Sequence, residues 1–80
     1  MDKAWHMVSG HLVRDFIFAN FIEAMVFVNK VARVAEREQH HPDILIQWNK
    51  VRLELWTHTA DAVTAKDKSL VKAIDEMLTL

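Results

Sequence analysis

One long stretch with the periodicity of an α-helix separates an N-terminal from a C-terminal segment of this sequence. Between Asn20 and Glu38, apolar residues recur at three- and four-residue spacing, which predicts a helix with one buried face. The residues of that face are Phe21, Ala24, Met25, Val28, Val31, Ala32 and Ala35. The predicted helix begins at Asn20, a residue suited to cap it, and Glu23 follows three positions later. It is expected to close before His40-His41-Pro42, because a proline disfavours helical backbone in the residue before it.

Short alternating segments lie on both sides of this helix. They predict four strands, which are Trp5–Val8, His11–Phe18, Ile44–Trp48 and Val51–His58. Ser9-Gly10 and Asn49-Lys50 separate the members of each pair, so two hairpins with two-residue turns are expected. Alternate residues of the last strand, beginning with Val51, are expected to face the core.

A second helix is predicted from Thr64 to Leu78, where Thr64 and Asp67 form a helix start signal. The expected buried residues of this helix are Leu70, Ile74, Met77 and Leu78. The predicted order of elements is therefore β-β-α-β-β-α. This order indicates an α+β fold in which two helices pack on one face of a four-stranded antiparallel sheet. We expect residues 1–80 to form a single domain.

Composition narrows the classes of function. Ten basic and eleven acidic residues are interspersed, so the chain lacks the basic stripe that nucleic-acid binding requires. Cysteine is absent, which suits a cytoplasmic protein. Charges interrupt every apolar run, so neither a membrane span nor a signal peptide is expected. Because 51% hydrophobic residues exceed what so small a core needs, we expect a homo-oligomer, either a dimer or a tetramer.

Three of the five histidines are predicted to converge. His40 and His41 follow the long helix, and His58 ends the last predicted strand. The partner of that strand begins just after Pro42, so hairpin topology brings His58 beside the histidine pair. Imidazole titrates near neutral pH and can both donate and accept a proton. Such a cluster suits the elimination of water, in which a hydroxyl is protonated and another proton is removed.

Other interpretations of these histidines remain open. Histidines at a helix C-terminus interact favourably with the helix dipole, and Pro42 there simply ends the helix. Three converging histidines are also typical of a catalytic zinc site, which would make the chain a metal-dependent hydrolase or hydratase. A non-catalytic module on the same fold is a further alternative.

Residues near the histidines carry alternatives of the same kind. Glu36 lies four residues before His40 and is expected either to hydrogen-bond that ring or to belong to a solvated helix face. Asp67 is expected to cap the second helix, and a catalytic role is the alternative. Trp48 and Trp56 are candidates for stacking on a flat heterocycle, or they belong to a core or an interface.

The spacing of Glu36, His40-His41-Pro42, Trp48, His58 and Asp67 resembles the signature of the pterin-4a-carbinolamine dehydratase family. The resemblance extends over residues 5–78, including the strand before the first helix and the second hairpin. It implies a lyase of tetrahydrobiopterin recycling, which removes water from 4a-hydroxytetrahydrobiopterin to give a quinonoid dihydropterin. The alternative under the same resemblance is a non-catalytic module that binds pterin or another protein.

The resemblance also implies roles for individual residues. His40 and His58 would be the acid and base groups, and His41 would bind and orient the pterin. The implied substrate-binding residues are His40, His41, Pro42, Thr57, His58, Thr59 and Ala60. Glu36, Asp67 and Trp48 match supporting positions. No metal and no organic cofactor are implied.

Two features depart from the family pattern. Family members usually carry a further helix before the tryptophan that Trp5 matches, and only four residues precede Trp5 here. Ala62 stands where the family usually has glycine. If that position requires positive φ, alanine is expected to cost about 1 kcal/mol or to reshape the loop.

Overall fold

The computed structural model describes residues 4–78 and confirms the predicted order of elements. The elements are β1 (His6–Val8), β2 (His11–Ile17), α1 (Phe21–Glu38), β3 (Asp43–Gln47), β4 (Lys50–Leu55) and α2 (Ala65–Leu78). The four strands form one antiparallel sheet in the order β1-β2-β4-β3. The second hairpin therefore lies against the first through β4, and the fold is α+β as predicted.

Side-chain alternation gives the sheet one face that packs against the helices and an opposite face that neither α1 nor α2 covers. On β4, Val51, Leu53 and Leu55 are each no more than 1% exposed and belong to the core. Leu12 of β2 pairs with Leu55 and faces the same way, because directly opposed residues share a face. The residues that both helices add to this core are Ala24, Phe27, Val28, Val31, Val34, Leu70, Val71, Ala73 and Ile74. The helices thus pack on the covered face, and both strands of the central pair support them.

Both predicted helices have one buried face, as expected, but some residues of those faces differ from the prediction. Phe27 and Val34 of α1 are buried although they were outside the predicted stripe, whereas Phe21 is 46% exposed. In α2, Met77 packs at the edge of the core and Leu78 is largely exposed. The burial of residues at the edge of an apolar stripe depends on the angle at which the helix packs on the sheet. Periodicity alone does not specify that angle.

The two hairpin turns differ in how well the sequence placed them. Ser9 and Gly10 both have positive φ, 49° and 83°, as a two-residue hairpin turn requires, so the first turn is confirmed. The second turn falls one residue early, at Trp48 and Asn49, with Trp48 at φ 53°. Among residues 4–78, neither helix combines the length and apolar character that a membrane span requires.

We expect Asn20→Ala to lower the free energy of unfolding by about 1 kcal/mol. The side-chain oxygen of Asn20 accepts a hydrogen bond of 2.8 Å from the Glu23 N–H at the start of α1. Thermal unfolding followed by circular dichroism should show Tm lower by about 4–8 °C. Asn29→Ala, on the exposed surface of the same helix, is the control. Equal Tm values for the two variants would contradict the role assigned to the cap.

Candidate active site

His40 and His41, which follow the end of α1, contact different partners. Gln39 has left-handed backbone, with φ 56° and ψ 37°, and the helix ends at Glu38 as predicted. His40 is mostly buried and its Nε2 lies 2.5 Å from Oδ1 of Asp67. His41 points outward, where its Nε2 contacts Oε2 of Glu36. The left-handed Gln39 therefore ends the helix just before two adjacent histidines, of which His40 is mostly buried and His41 is exposed.

Of the two expectations for Glu36, the solvated helix face is correct and the contact with His40 is wrong. Glu36 pairs with His41, and His40 pairs with Asp67 from α2. Four-residue spacing brings side chains together only while the backbone remains helical, and the left-handed Gln39 breaks that relation. The capping contact expected of Asp67 is confirmed, but its contact with His40 was not predicted.

Asp67 accepts hydrogen bonds from three separate donors while fully buried. Its side chain is 0% exposed, and Oδ2 accepts from Thr57 Oγ1 and from the Thr64 N–H, each at 2.8 Å. Burial raises the pKa of Asp67, but hydrogen bonds from the Thr64 N–H, His40 and Thr57 outweigh it, so the net pKa lies below its ordinary value. Asp67 is thus ionised at neutral pH. The same carboxylate caps α2 and holds the His40 ring.

The carboxylate of Asp67 determines the direction of its hydrogen bond with His40. Because an ionised Asp67 can only accept, Nε2 of His40 carries the proton of their hydrogen bond. Neutral His40 then has its lone pair on Nδ1, the ring nitrogen left for a ligand. This arrangement leaves Nδ1 as the ring nitrogen that can accept a proton.

His58 lies in a loop and not in a strand, which corrects the sequence-based boundary. β4 ends at Leu55, and Thr57 pairs instead with Ala62, whose carbonyl accepts from the Thr57 N–H at 2.9 Å. The loop between these two residues presents His58 to solvent. Positive φ occurs at Asp61 and not at Ala62, so alanine causes no left-handed strain at the position where glycine was expected.

His58 and the histidine pair share one cleft, as hairpin topology predicted. The cleft has a volume of about 310 Å³, at the small end of the range for ligand sites. The residues lining it are Gln39, His40, His41, Trp56, Thr57, His58, Thr59 and Lys66. Five of these were predicted site residues. Gln39 and Lys66 were missed, and no sequence pattern marked either of them.

The other predicted site residues do not line the cleft. Pro42 and Ala60 flank residues of the cleft, Asp67 lies behind His40, and Glu36 lies behind His41. Trp48 lies in the turn at the opposite end of β3 and β4, 69% exposed, so the structure does not bring it to the cleft. Position along a hairpin, and not spacing from the histidines, decides which tryptophan is near.

Trp56 lines the cleft, but its indole is already stacked on both faces. The His11 ring lies parallel to it at a centroid distance of 3.9 Å and an angle of 4°. The His58 ring lies 4.3 Å away at 27°. Two rings so close to one indole would overlap if they shared a face, so His11 and His58 cover opposite faces. Trp56 therefore has no open face for the flat heterocycle considered above.

The arrangement of possible metal ligands bears on the alternative of a zinc site. Within residues 4–78, no three His, Asp or Glu side chains are grouped so that they could hold one ion. The Nε2 atoms of His40 and His41 face separate carboxylates. The cleft therefore does not offer the three convergent ligands of a catalytic zinc site.

The sequence is similar to a known family and to several of its members. A sequence model of the family described as pterin 4 alpha carbinolamine dehydratase matches residues 1–77. A protein of Thermomicrobium roseum, provisionally named a pterin-4-alpha-carbinolamine dehydratase, is 47% identical over 73 residues, covering 91% of this chain and 78% of that protein. A Chloroflexus aurantiacus protein with the same provisional name is 49% identical over 74 residues, covering 92% of this chain and 80% of that protein.

Solved structures agree with the sequence comparison. The crystal structure of a transcriptional coactivator/pterin dehydratase from Brucella melitensis has a TM-score of 0.84 at 29% identity, covering 92% of this chain and 81% of that chain. A pterin dehydratase-like protein identified as a RuBisCO assembly factor in the alpha-carboxysome has a TM-score of 0.70 at 18% identity, covering 90% and 83%. The latter likeness shows the fold alone. By its sequence and its fold, this chain belongs to the pterin 4 alpha carbinolamine dehydratase family.

Proposed function

We propose that this protein dehydrates 4a-hydroxytetrahydrobiopterin, or a closely related pterin, by histidine acid/base catalysis. The observation that carries the proposal is the pairing of His40 with buried, ionised Asp67 at the wall of a cleft that also contains His58. Family membership supports the reaction and the substrate class. The cleft supplies what the reaction needs, namely one group that accepts a proton and another that donates one.

The reaction is balanced by two proton transfers. His58 donates a proton to the 4a-hydroxyl group, the C4a–O bond breaks, and water leaves. His40 removes a proton from the pterin ring through Nδ1, which gives the quinonoid dihydropterin. Asp67 stabilises the imidazolium that His40 becomes, so the proton acceptor is strengthened at the moment of transfer.

Binding is assigned to the remaining residues of the cleft. His41 is held from outside by Glu36 and orients the pterin beside His40. Thr57 and Thr59 border the substrate from the loop, together with the adjoining Ala60, while Pro42 shapes the corner after His41. No metal or organic cofactor takes part in this scheme.

The test is the rate at which enzymatically generated 4a-hydroxytetrahydrobiopterin is dehydrated, followed by ultraviolet absorbance. We expect wild type to exceed the buffer rate, without dependence on added metal or on a chelator. Pterin binding without acceleration would identify a non-catalytic binding module instead. Stoichiometric zinc in protein purified without a histidine tag, together with activity lost on its removal, would support the metal-dependent alternative.

We also infer that the protein acts in the cytoplasm as a homo-oligomer. Several large apolar side chains remain exposed in the single chain, among them Ile17 at 74% and Ile22 at 71%. The absence of cysteine suits a reducing compartment. Light scattering should report a multiple of the 9.3 kDa chain mass, and a monomer at micromolar concentration would contradict the oligomer.

A further inference from the structure

His58 requires an external support because of its place in the chain. It lies three residues beyond the last residue of β4, in the exposed loop closed by the pairing of Thr57 with Ala62. Within residues 4–78, no hydrogen bond from another side chain holds its imidazole. A histidine side chain in this setting samples several rotamers unless packing selects one. The group that packs against the ring is the Trp56 indole.

The far side of the indole is braced by a residue fixed on the sheet. His11 is the first residue of β2, and its Nδ1 donates to Oε2 of Glu54 on β4 at 2.5 Å. Both side chains are about three-quarters removed from solvent, with exposures of 24% and 31%. The contact between two paired strands therefore fixes His11. His11 in turn fixes the face of Trp56 opposite to His58.

We propose that Trp56 and His11 are positioning residues that hold the His58 imidazole at the orientation needed for proton transfer. This inference rests on the proposed function, because only a proton donor at His58 requires such an orientation. Stacking restricts rotation of the ring while leaving both of its nitrogens available, which a hydrogen bond from the protein would not do. The ring stack of His11, Trp56 and His58 thus connects the rigid sheet with a catalytic group in a loop.

The first test changes the middle of the ring stack. Trp56→Leu keeps an apolar side chain but removes the flat surface, and it should lower kcat about tenfold because a small misplacement of a catalytic group is costly. KM should change less than about threefold, since His40 and His41 still contact the substrate. Trp56→Phe restores a flat ring and should recover most of the lost kcat.

The second test changes the end of the ring stack that lies outside the cleft. His11→Ala should lower kcat about threefold, and His11→Phe, which restores a ring without the bond to Glu54, should recover part of it. His6→Ala is the matched control, because His6 is exposed on the same face of the first hairpin without belonging to the ring stack. Its kcat should equal that of wild type. Circular dichroism and Tm confirm that each variant is folded.

A third measurement reports the position of His58 without any assay of activity. In proton NMR spectra, the indole ring current should move the His58 ring protons upfield in wild type. These resonances should return toward ordinary histidine values in Trp56→Leu. If the role of Trp56 were purely structural, Trp56→Leu would lower Tm without lowering kcat more than it changes KM.

The outcomes separate this inference from the proposed function. Wild type without dehydratase activity would overturn the proposed function, and the positioning role with it. An active wild type together with a folded Trp56→Leu variant of unchanged kcat would overturn the positioning role alone. Ordinary chemical shifts for the His58 ring in active wild type would do the same. A tenfold loss in Trp56→Leu, with recovery in Trp56→Phe and no change in His6→Ala, supports it.

Discussion

Replacement of Asp67 with alanine is expected to lower the free energy of unfolding by about 3–5 kcal/mol, a large part of the total for a domain of this size. The variant leaves three donors without their acceptor, namely the Thr57 hydroxyl, the Thr64 N–H and Nε2 of His40. Each unsatisfied buried group costs about 1–3 kcal/mol. The Thr64 hydroxyl, which lies 2.6 Å from Thr57 Oγ1, belongs to the same network. Urea unfolding at pH 7 measures the loss.

The matched control removes a carboxylate from an exposed position. Asp43 is exposed at the start of β3, and Asp43→Ala should change the free energy of unfolding by less than about 0.5 kcal/mol. Asp67→Asn, which keeps the shape but replaces one acceptor oxygen with a donor, should fall between the two alanine variants. If Asp67→Ala were as stable as Asp43→Ala, the buried network would not contribute as described.

The same carboxylate predicts how the protein responds to acid. Because the pKa of Asp67 is lower in the folded than in the unfolded chain, its ionised form stabilises the fold fully above the unfolded pKa of about 3.9. That contribution is lost as pH falls through the folded pKa. Wild type should therefore lose more stability than Asp67→Asn between pH 5 and strong acid. Parallel curves for both proteins would contradict the lowered pKa.

His40→Ala is expected to lower kcat for dehydration by about 10²- to 10⁴-fold, the usual contribution of a general acid or base. His40 lines the cleft and Asp67 holds its Nε2, so Nδ1 is the ring nitrogen assigned to accept the proton. His41→Ala is the matched comparison, since the exposed His41 is assigned to binding. It should raise KM by more than it lowers kcat. Steady-state kinetics of both folded variants distinguish the two roles, and equal losses of kcat would contradict the assignment.

Local patterns predicted most of the fold because each element is consistent with its own sequence. The Asn20 cap, the helix end before His40 and the two-residue turn at Ser9-Gly10 all depend on interactions within a few residues. Hairpin topology then correctly placed His58 beside the histidine pair. These features need no knowledge of distant packing.

The errors in the prediction arise where a residue takes a partner that neither strand alternation nor helical spacing specifies. Alternation continues through Thr57 into His58, yet Thr57 takes Ala62 as its backbone partner and leaves the sheet. The choice of Asp67 by His40, in place of Glu36, depends on how α2 packs across the end of α1. The stacking of His11 on Trp56 depends in turn on the pairing of β2 with β4. No local spacing contains this information.

The most direct test of the central claim is the initial rate of dehydration by wild type and by the double variant His40→Ala/His58→Ala. Circular dichroism must first show that the double variant is folded. Acid/base catalysis by these two histidines predicts a wild-type rate well above that of buffer and a double-variant rate equal to it. A folded double variant that retains most of the wild-type rate, or a wild type no faster than buffer, would contradict the account.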